Sequence, residues 1–149
     1  MREATEGRGS RKGGARFGFG LGTPLALGLL VLGPAWALMK ASAAMRWPLG
    51  WVFGAWATLA VVNFFLMGAD KHRATSGAWR IPEATLHAFE LAGGWPGSFL
   101  GQQVFRHKTA KGSYRVAFWL IVLVHQVVAW DLATGGRLFG RLLASVRGG

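Results

Sequence analysis

The sequence predicts an all-α integral membrane protein with three transmembrane helices and one broken or re-entrant helix pair, or four spans if that pair crosses. Two observations set the helices. Residues 17–39 and 47–69 each run 23 positions without a charged side chain, enough to cross a hydrocarbon core of about 30 Å at about 1.5 Å per residue. The third observation is composition. The chain of 149 residues is 52% hydrophobic and 15% charged, with 23 Gly and 8 Trp. That balance departs from a soluble domain toward a membrane protein, where Gly and interfacial Trp are common.

Residues 1–16 are Gly-rich, carry five basic side chains and lack apolar periodicity, which predicts a disordered basic N-terminal tail. Residues 17–46 predict an extra transmembrane helix and a short loop, with Pro24 in the opening turn and Gly33-Pro34 introducing a kink. A cleaved signal peptide ending at Ala41-Ser42-Ala43 is the competing reading; signal h-regions run about 7–15 residues, shorter than this one. Residues 47–130 predict the main membrane domain. Trp47 and Trp51 mark an interface, Gly50 and Gly54 form a small-xxx-small pair for helix approach, and Asn63 predicts a hydrogen bond inside the bundle.

The next apolar stretch, 84–105, is long enough to span but is interrupted. Pro82 and Glu83 suit a helix start, and Gly93 a stop. The resulting helix over 82–92 is about 16 Å long, too short to cross alone. Pro96 then starts a second short helix toward Phe105, so Gly93, Gly94, Pro96 and Gly97 form a helix break. Residues 116–130 are apolar apart from His125 and Gln126 and span with the help of 112–115. Residues 131–149 predict a basic amphipathic helix lying on a membrane surface.

The net charge of +11 is distributed in loops. Starting inside, the re-entrant arrangement places twelve Lys and Arg on the cytoplasmic side and five outside; a full crossing gives eleven and six. The Gly-Gly-x-Pro-Gly interruption favours the re-entrant form. The expected topology is therefore multi-pass, with the basic loops on the cytoplasmic side.

Residues 70–115 hold three of the four histidines together with Asp70, Glu83 and Glu90. The string Asp70-Lys71, Ala74, Gly77, Trp79-Arg80-Ile81-Pro82-Glu83, Leu86-His87, Gly93-Gly94, Pro96-Gly97 and Phe105-Arg106-His107-Lys108-Thr109 with Lys111 resembles the family called domain of unknown function 1294. These are small bacterial integral-membrane proteins, some fused to a cold-shock domain that this chain does not carry. The resemblance covers about residues 51–130. It implies a location in the bacterial cytoplasmic (inner) membrane and no defined activity.

Two sites follow from the residues themselves. Arg80, Arg106, His107, Lys108 and Lys111 surround a helix start and predict binding of an anionic lipid headgroup or a phosphorylated partner, since Arg grips phosphate bidentately. Loop charge that only orients the helices is the plainer account of the same residues. His87 and Glu90 lie one to two turns into an apolar segment, where ionisable groups are expensive. They predict a general acid/base pair of a small membrane enzyme on a lipid-linked substrate. Glu83, His87 and Glu90 at i, i+4 and i+7 form one stripe; facing water, or pairing with Arg106 or Arg115, is its plainer reading. An oligomeric transporter or channel component built on the helix break is a further alternative.

With no cysteine, disulfides, thiolate nucleophiles and Cys-based metal sites are excluded. G-x-S-x-G, G-x-x-x-x-G-K and H-E-x-x-H are absent from the sequence. No cofactor and no metal are expected. The expected partners are membrane lipid and further copies of the chain in a homo-oligomer, with no specific nucleic-acid partner.

Overall fold

A computed structural model describes residues 22–109 and 111–147 and is all-helical, with no strand among them. The elements are α1 (Gly22–Met45), α2 (Leu49–Thr75), α3 (Glu83–Phe89), a π-helical turn (Glu90–Gly94), α4 (Trp95–Val104), α5 (Gly112–Ala133) and α6 (Arg137–Arg147). Three helices, α1, α2 and α5, are long and apolar enough to cross a membrane. The expected N-terminal tail lies outside the described residues.

α1 stays one continuous helix through Pro34. Proline has no N–H to give the carbonyl four residues back, and here that carbonyl belongs to Leu30. Gln126 Nε2 of α5 donates to the Leu30 oxygen at 2.8 Å. Further along, Lys40 Nζ donates to Ala133 O at 2.8 Å. Both contacts rise together in sequence, so α1 and α5 run parallel, with α2 antiparallel to them.

α3, the π turn and α4 form a helical hairpin laid against α2. Gly93 makes the turn: its φ of 115° is a left-handed conformation open to glycine. Trp56 Nε1 donates to Gly93 O at 3.0 Å, and Asn63 Nδ2 to Gly94 O at 3.2 Å. Asn63 Nδ2 also reaches Ser98 Oγ at 2.9 Å, so the expected hydrogen bond of Asn63 is made to the hairpin.

From this apex α4 runs parallel to α2: positions 94, 97, 101 and 105 meet Leu59, Ala60, Met67 and Gly68 in rising order. Gly97 is where the backbones come closest, since a Cβ there would overlap the Ala60 carbonyl oxygen. The close approach expected of Gly50 and Gly54 is therefore made elsewhere. At neither position does any heavy atom stand within 4 Å of where a Cβ would project, because the hairpin reaches back along α2 only as far as Trp56.

The hairpin begins and ends at one end of α2. Ile81 N donates to Asp70 Oδ1 at 3.0 Å before α3, and the Phe105 ring packs on Gly68 after α4. Its apex reaches Trp56, fourteen residues back along α2, about 21 Å at 1.5 Å per residue. The buried core lies where hairpin, α2 and α5 meet: Met67, Leu86, Trp95, Phe99, Tyr114, Phe118 and Val122.

Outward faces remain apolar, as at Leu29, Phe65 and Leu120. Exposed Trp47, Trp51 and Trp130 gather toward one end and Trp79 stands at the other, the distribution of interfacial tryptophans. α5 runs three residues beyond the expected end at Trp130. Asp131 Oδ1 then accepts from Leu138 N at 2.7 Å, tying the start of the basic amphipathic α6 to α5.

Candidate functional site

Asp70 comes at the last turns of α2, after the uncharged run, and is fully buried. A buried carboxylate requires partners, and two loops, α2–α3 and α4–α5, supply them. Ile81 N–H serves Oδ1; His107 Nε2 lies 2.7 Å, Lys108 Nζ 3.2 Å and Arg80 Nη2 3.6 Å from Oδ2. The segment from Arg106 to Lys108 wraps this carboxylate with two residues in the left-handed region, Arg106 at φ 47° and Lys108 at φ 61°. Each costs about 1–3 kcal/mol, so the bonds to Asp70 hold a conformation the loop would not adopt alone.

Glu83, in the first turn of α3, receives Lys108 Nζ and Lys111 Nζ, both at 2.8 Å. These two ammonium hydrogen bonds, Lys108 first, bring its carboxyl down from 4.5 to about 2. Lys108, its side chain 2% exposed, thus bridges two carboxylates. Its ammonium also sits 5.1 Å from the centroid of the Tyr114 ring, within cation–π range.

Tyr114 links the surface to the second candidate pair. Its hydroxyl donates to Glu90 Oε1 at 2.6 Å, and Glu90 Oε2 lies 2.6 Å from His87 Nδ1. The His87 ring stacks on Tyr114 with centroids 4.5 Å apart. Glu90 is fully buried and His87 partly exposed. A histidine held at one ring nitrogen by a buried carboxylate has a fixed orientation and leaves the other nitrogen for proton exchange.

The two predicted sites are thus joined through Lys108 and Tyr114. The stripe of Glu83, His87 and Glu90 faces neither water alone nor Arg106 or Arg115: it turns onto α5 and the loop before it, meeting Lys108, Lys111 and Tyr114. His125 stands apart, with Nδ1 2.8 Å from Ile121 O of its own helix. No group of three His, Asp or Glu among the described residues is placed to hold a metal.

Arg80, Arg106, His107, Lys108, Thr109 and Lys111 line a hollow of about 240 Å³. His107 and Lys108 are buried against Asp70, whereas Arg80, Arg106 and Lys111 are exposed. Of the helix-break residues, Gly93 makes the turn, Gly94 presents its carbonyl, Pro96 sits in the first turn of α4 and Gly97 packs on α2.

Sequence reasoning assigned no role to Asp70 or Tyr114. Asp70 carried a signal as the carboxylate that ends an uncharged run, and Tyr114 as the single tyrosine of the chain.

The family described as protein of unknown function DUF1294 matches residues 60–114, the range that contains the whole network from Asn63 to Tyr114. The uncharacterized protein YsdA of Bacillus subtilis (strain 168) is 35% identical over 75 residues, 48% of this chain and 84% of that protein. No solved structure matches the chain. Over the carboxylate network and the hairpin that carries it, the chain belongs to the DUF1294 family.

Proposed function

We propose that the protein crosses a bacterial inner membrane three times, with the hairpin re-entrant from the cytoplasmic side, and that its basic end binds the phosphate of an anionic lipid headgroup. One observation carries the binding reading. Four permanent cations and His107 converge on one hollow, with Asp70 and Glu83 the carboxylates at ion-pair distance among the described residues. Arg80, Arg106 and Lys111 present the surplus at the exposed face, with Arg80 3.6 Å from Asp70 and Lys111 2.8 Å from Glu83, while His107 and Lys108 hold the loop in place.

The shape of the hairpin supports the orientation. Since it returns to the end where it began, the loops at 71–80 and 106–115 share a side, the richer one in Lys and Arg. Trp79, 87% exposed beside Arg80, suits the headgroup level of a bilayer.

Native mass spectrometry of the detergent-solubilised protein tests the reading. Wild type retains phosphatidylglycerol in preference to phosphatidylcholine, and Arg80→Ala with Arg106→Ala lowers that preference at least tenfold. An unchanged preference in the double variant sinks it. For topology, Ala78→Cys and Ser113→Cys label from the same side of the membrane and Ala144→Cys from the other, on a chain with no native cysteine. Labelling of 78 and 113 from opposite sides would rule out the re-entrant arrangement.

The 2.6 Å contact of buried Glu90 with His87 favours a second reading, a membrane enzyme acting on a lipid-linked substrate. His87 is its acid/base group, and Glu90 with Tyr114 orients it. His87→Ala then leaves phosphatidylglycerol retention intact while changing the lipid profile of cells that express it. An identical profile for wild type and His87→Ala refutes it.

A further inference from the structure

We infer that the phosphate pocket continues into a groove on α5 that holds one acyl chain of the same lipid. This deepens the headgroup reading and rests on it. A second hollow, of about 450 Å³, is lined by Gly112, Arg115, Val116, Trp119, Leu120 and Leu123. The volume lies within the range of small-molecule sites, about 300–1,000 Å³. The six positions are spaced i, i+3, i+4, i+7, i+8 and i+11, so they form a single stripe along the helix.

That stripe is about 16 Å long at 1.5 Å per residue. A hydrocarbon core of about 30 Å leaves about 15 Å for each leaflet. The groove is therefore as long as one chain is deep.

Its mouth is where the phosphate must lie. Lys111 lines the basic pocket and Gly112, the next residue, opens the groove. No heavy atom stands within 4 Å of where a Cβ would project from Gly112, so no side chain closes the start of the stripe at that position. Arg115 follows Lys111 by one turn and lines the groove at its polar end, placing a second cation beside the ester region. Trp119 forms a firm wall, edge-on to Phe99 at 6.3 Å and Phe118 at 5.4 Å between centroids. Below it, Leu120 and Leu123 give the apolar surface that a methylene chain requires.

Basic residues at the end of a lipid-facing helix are common; what is particular here is that they line a hollow directly before the stripe begins. Here the order along one face is cation pocket, open glycine, arginine, then hydrocarbon. That matches the order of phosphate, ester and chain in a phospholipid. The inference also separates this face from the outer faces of α1 and α2, which are apolar but do not continue into the pocket.

The test uses the full chain in nanodiscs of phosphatidylglycerol carrying a diazirine in one acyl chain. Crosslinks concentrate on residues 116–123 of α5. In detergent, Leu120→Trp lowers retained phosphatidylglycerol at least fivefold, yet leaves the melting shift produced by inorganic phosphate as in wild type. Leu120 is 56% exposed, so the larger ring fills the groove without entering the core.

Arg106→Ala reduces both lipid retention and the phosphate shift. Wild-type lipid retention by Leu120→Trp, or crosslinks spread evenly over α1, α2 and α5, overturns the groove and leaves the phosphate pocket standing. Dimer crosslinks through α5 without lipid labelling overturn it in favour of a second copy on this face. If Arg106→Ala changes neither quantity, the underlying headgroup reading fails as well.

Discussion

Asp70→Ala removes the carboxylate on which the α2–α3 and α4–α5 loops converge. Two losses can be sized. The Ile81 N–H, half-buried and bonded to Oδ1 at 3.0 Å, loses its acceptor, which costs about 1 kcal/mol at the low end of the range for an unmet donor. Lys108, 2% exposed, loses one of its two carboxylates. Stripping a buried charge of its partner costs about 3–5 kcal/mol; with Glu83 still in place, about 2 kcal/mol is the appropriate share.

The total of about 3 kcal/mol is roughly a hundredfold change in the unfolding equilibrium. For a chain of this size it lowers the melting temperature by about 6–12 °C. The eight tryptophans allow this to be followed by intrinsic fluorescence on heating in detergent. The double variant Asp70→Ala with Lys108→Met recovers about 1 kcal/mol, because a buried charge left with one of its two partners is gone while Lys111 continues to pair Glu83. A single variant melting within about 2 °C of wild type refutes the reasoning. So does a double variant less stable than the single one.

Gly97→Ala forces a methyl group into the Ala60 carbonyl and is expected to cost more than about 3 kcal/mol, since backbone cannot step aside. Gly50→Ala, in open space, stays neutral or gains about 0.5–1 kcal/mol in the same melting assay. The pH dependence of Glu83 follows from a carboxyl held at about 2 in the folded chain against 4.5 in the free group. Its stabilising contribution is complete above about pH 4.5 and disappears as pH falls through about 2. The melting difference between wild type and Glu83→Gln should shrink over that window and stay constant above it. Gln126→Leu leaves the Leu30 carbonyl without its donor and costs about 0.6–1 kcal/mol. Adding Pro34→Ala restores an N–H to that carbonyl, so the double variant should regain the loss in the same measurement.

The long helices were legible because a charge-free run of 23 residues has few other uses. The hairpin was legible because Pro82, Gly93 and Pro96 act through local backbone rules, and its turn falls at Gly93. The partners were not. Asp70 and His107 are 37 positions apart and meet only because α4 runs beside α2. Glu90 and Tyr114 meet across the hairpin and α5 by the same logic of packing. Gly50 and Gly54 fit the small-residue spacing as well as any pair, yet spacing does not say which part of α2 the hairpin covers. The basic residues were found by type, but type alone could not separate Lys108, which bridges two carboxylates, from Arg106, which remains exposed.

The apex of the hairpin imposes an order on assembly. Its two carbonyls, at Gly93 and Gly94, are satisfied by Trp56 and Asn63 of α2. Its buried Glu90 waits for Tyr114 of α5. A chain emerging from the ribosome makes α2 first, so the template for the apex precedes the hairpin. The lid for Glu90 follows twenty-four residues later. In a bilayer the hairpin would not be stable as an independently inserted segment, because its polar apex has no water to turn to. The hairpin therefore completes its contacts after its template on α2 is in place, and the arrival of α5 supplies the last of them. Truncation before Tyr114 would leave Glu90 with His87 but without the hydroxyl that answers its other oxygen.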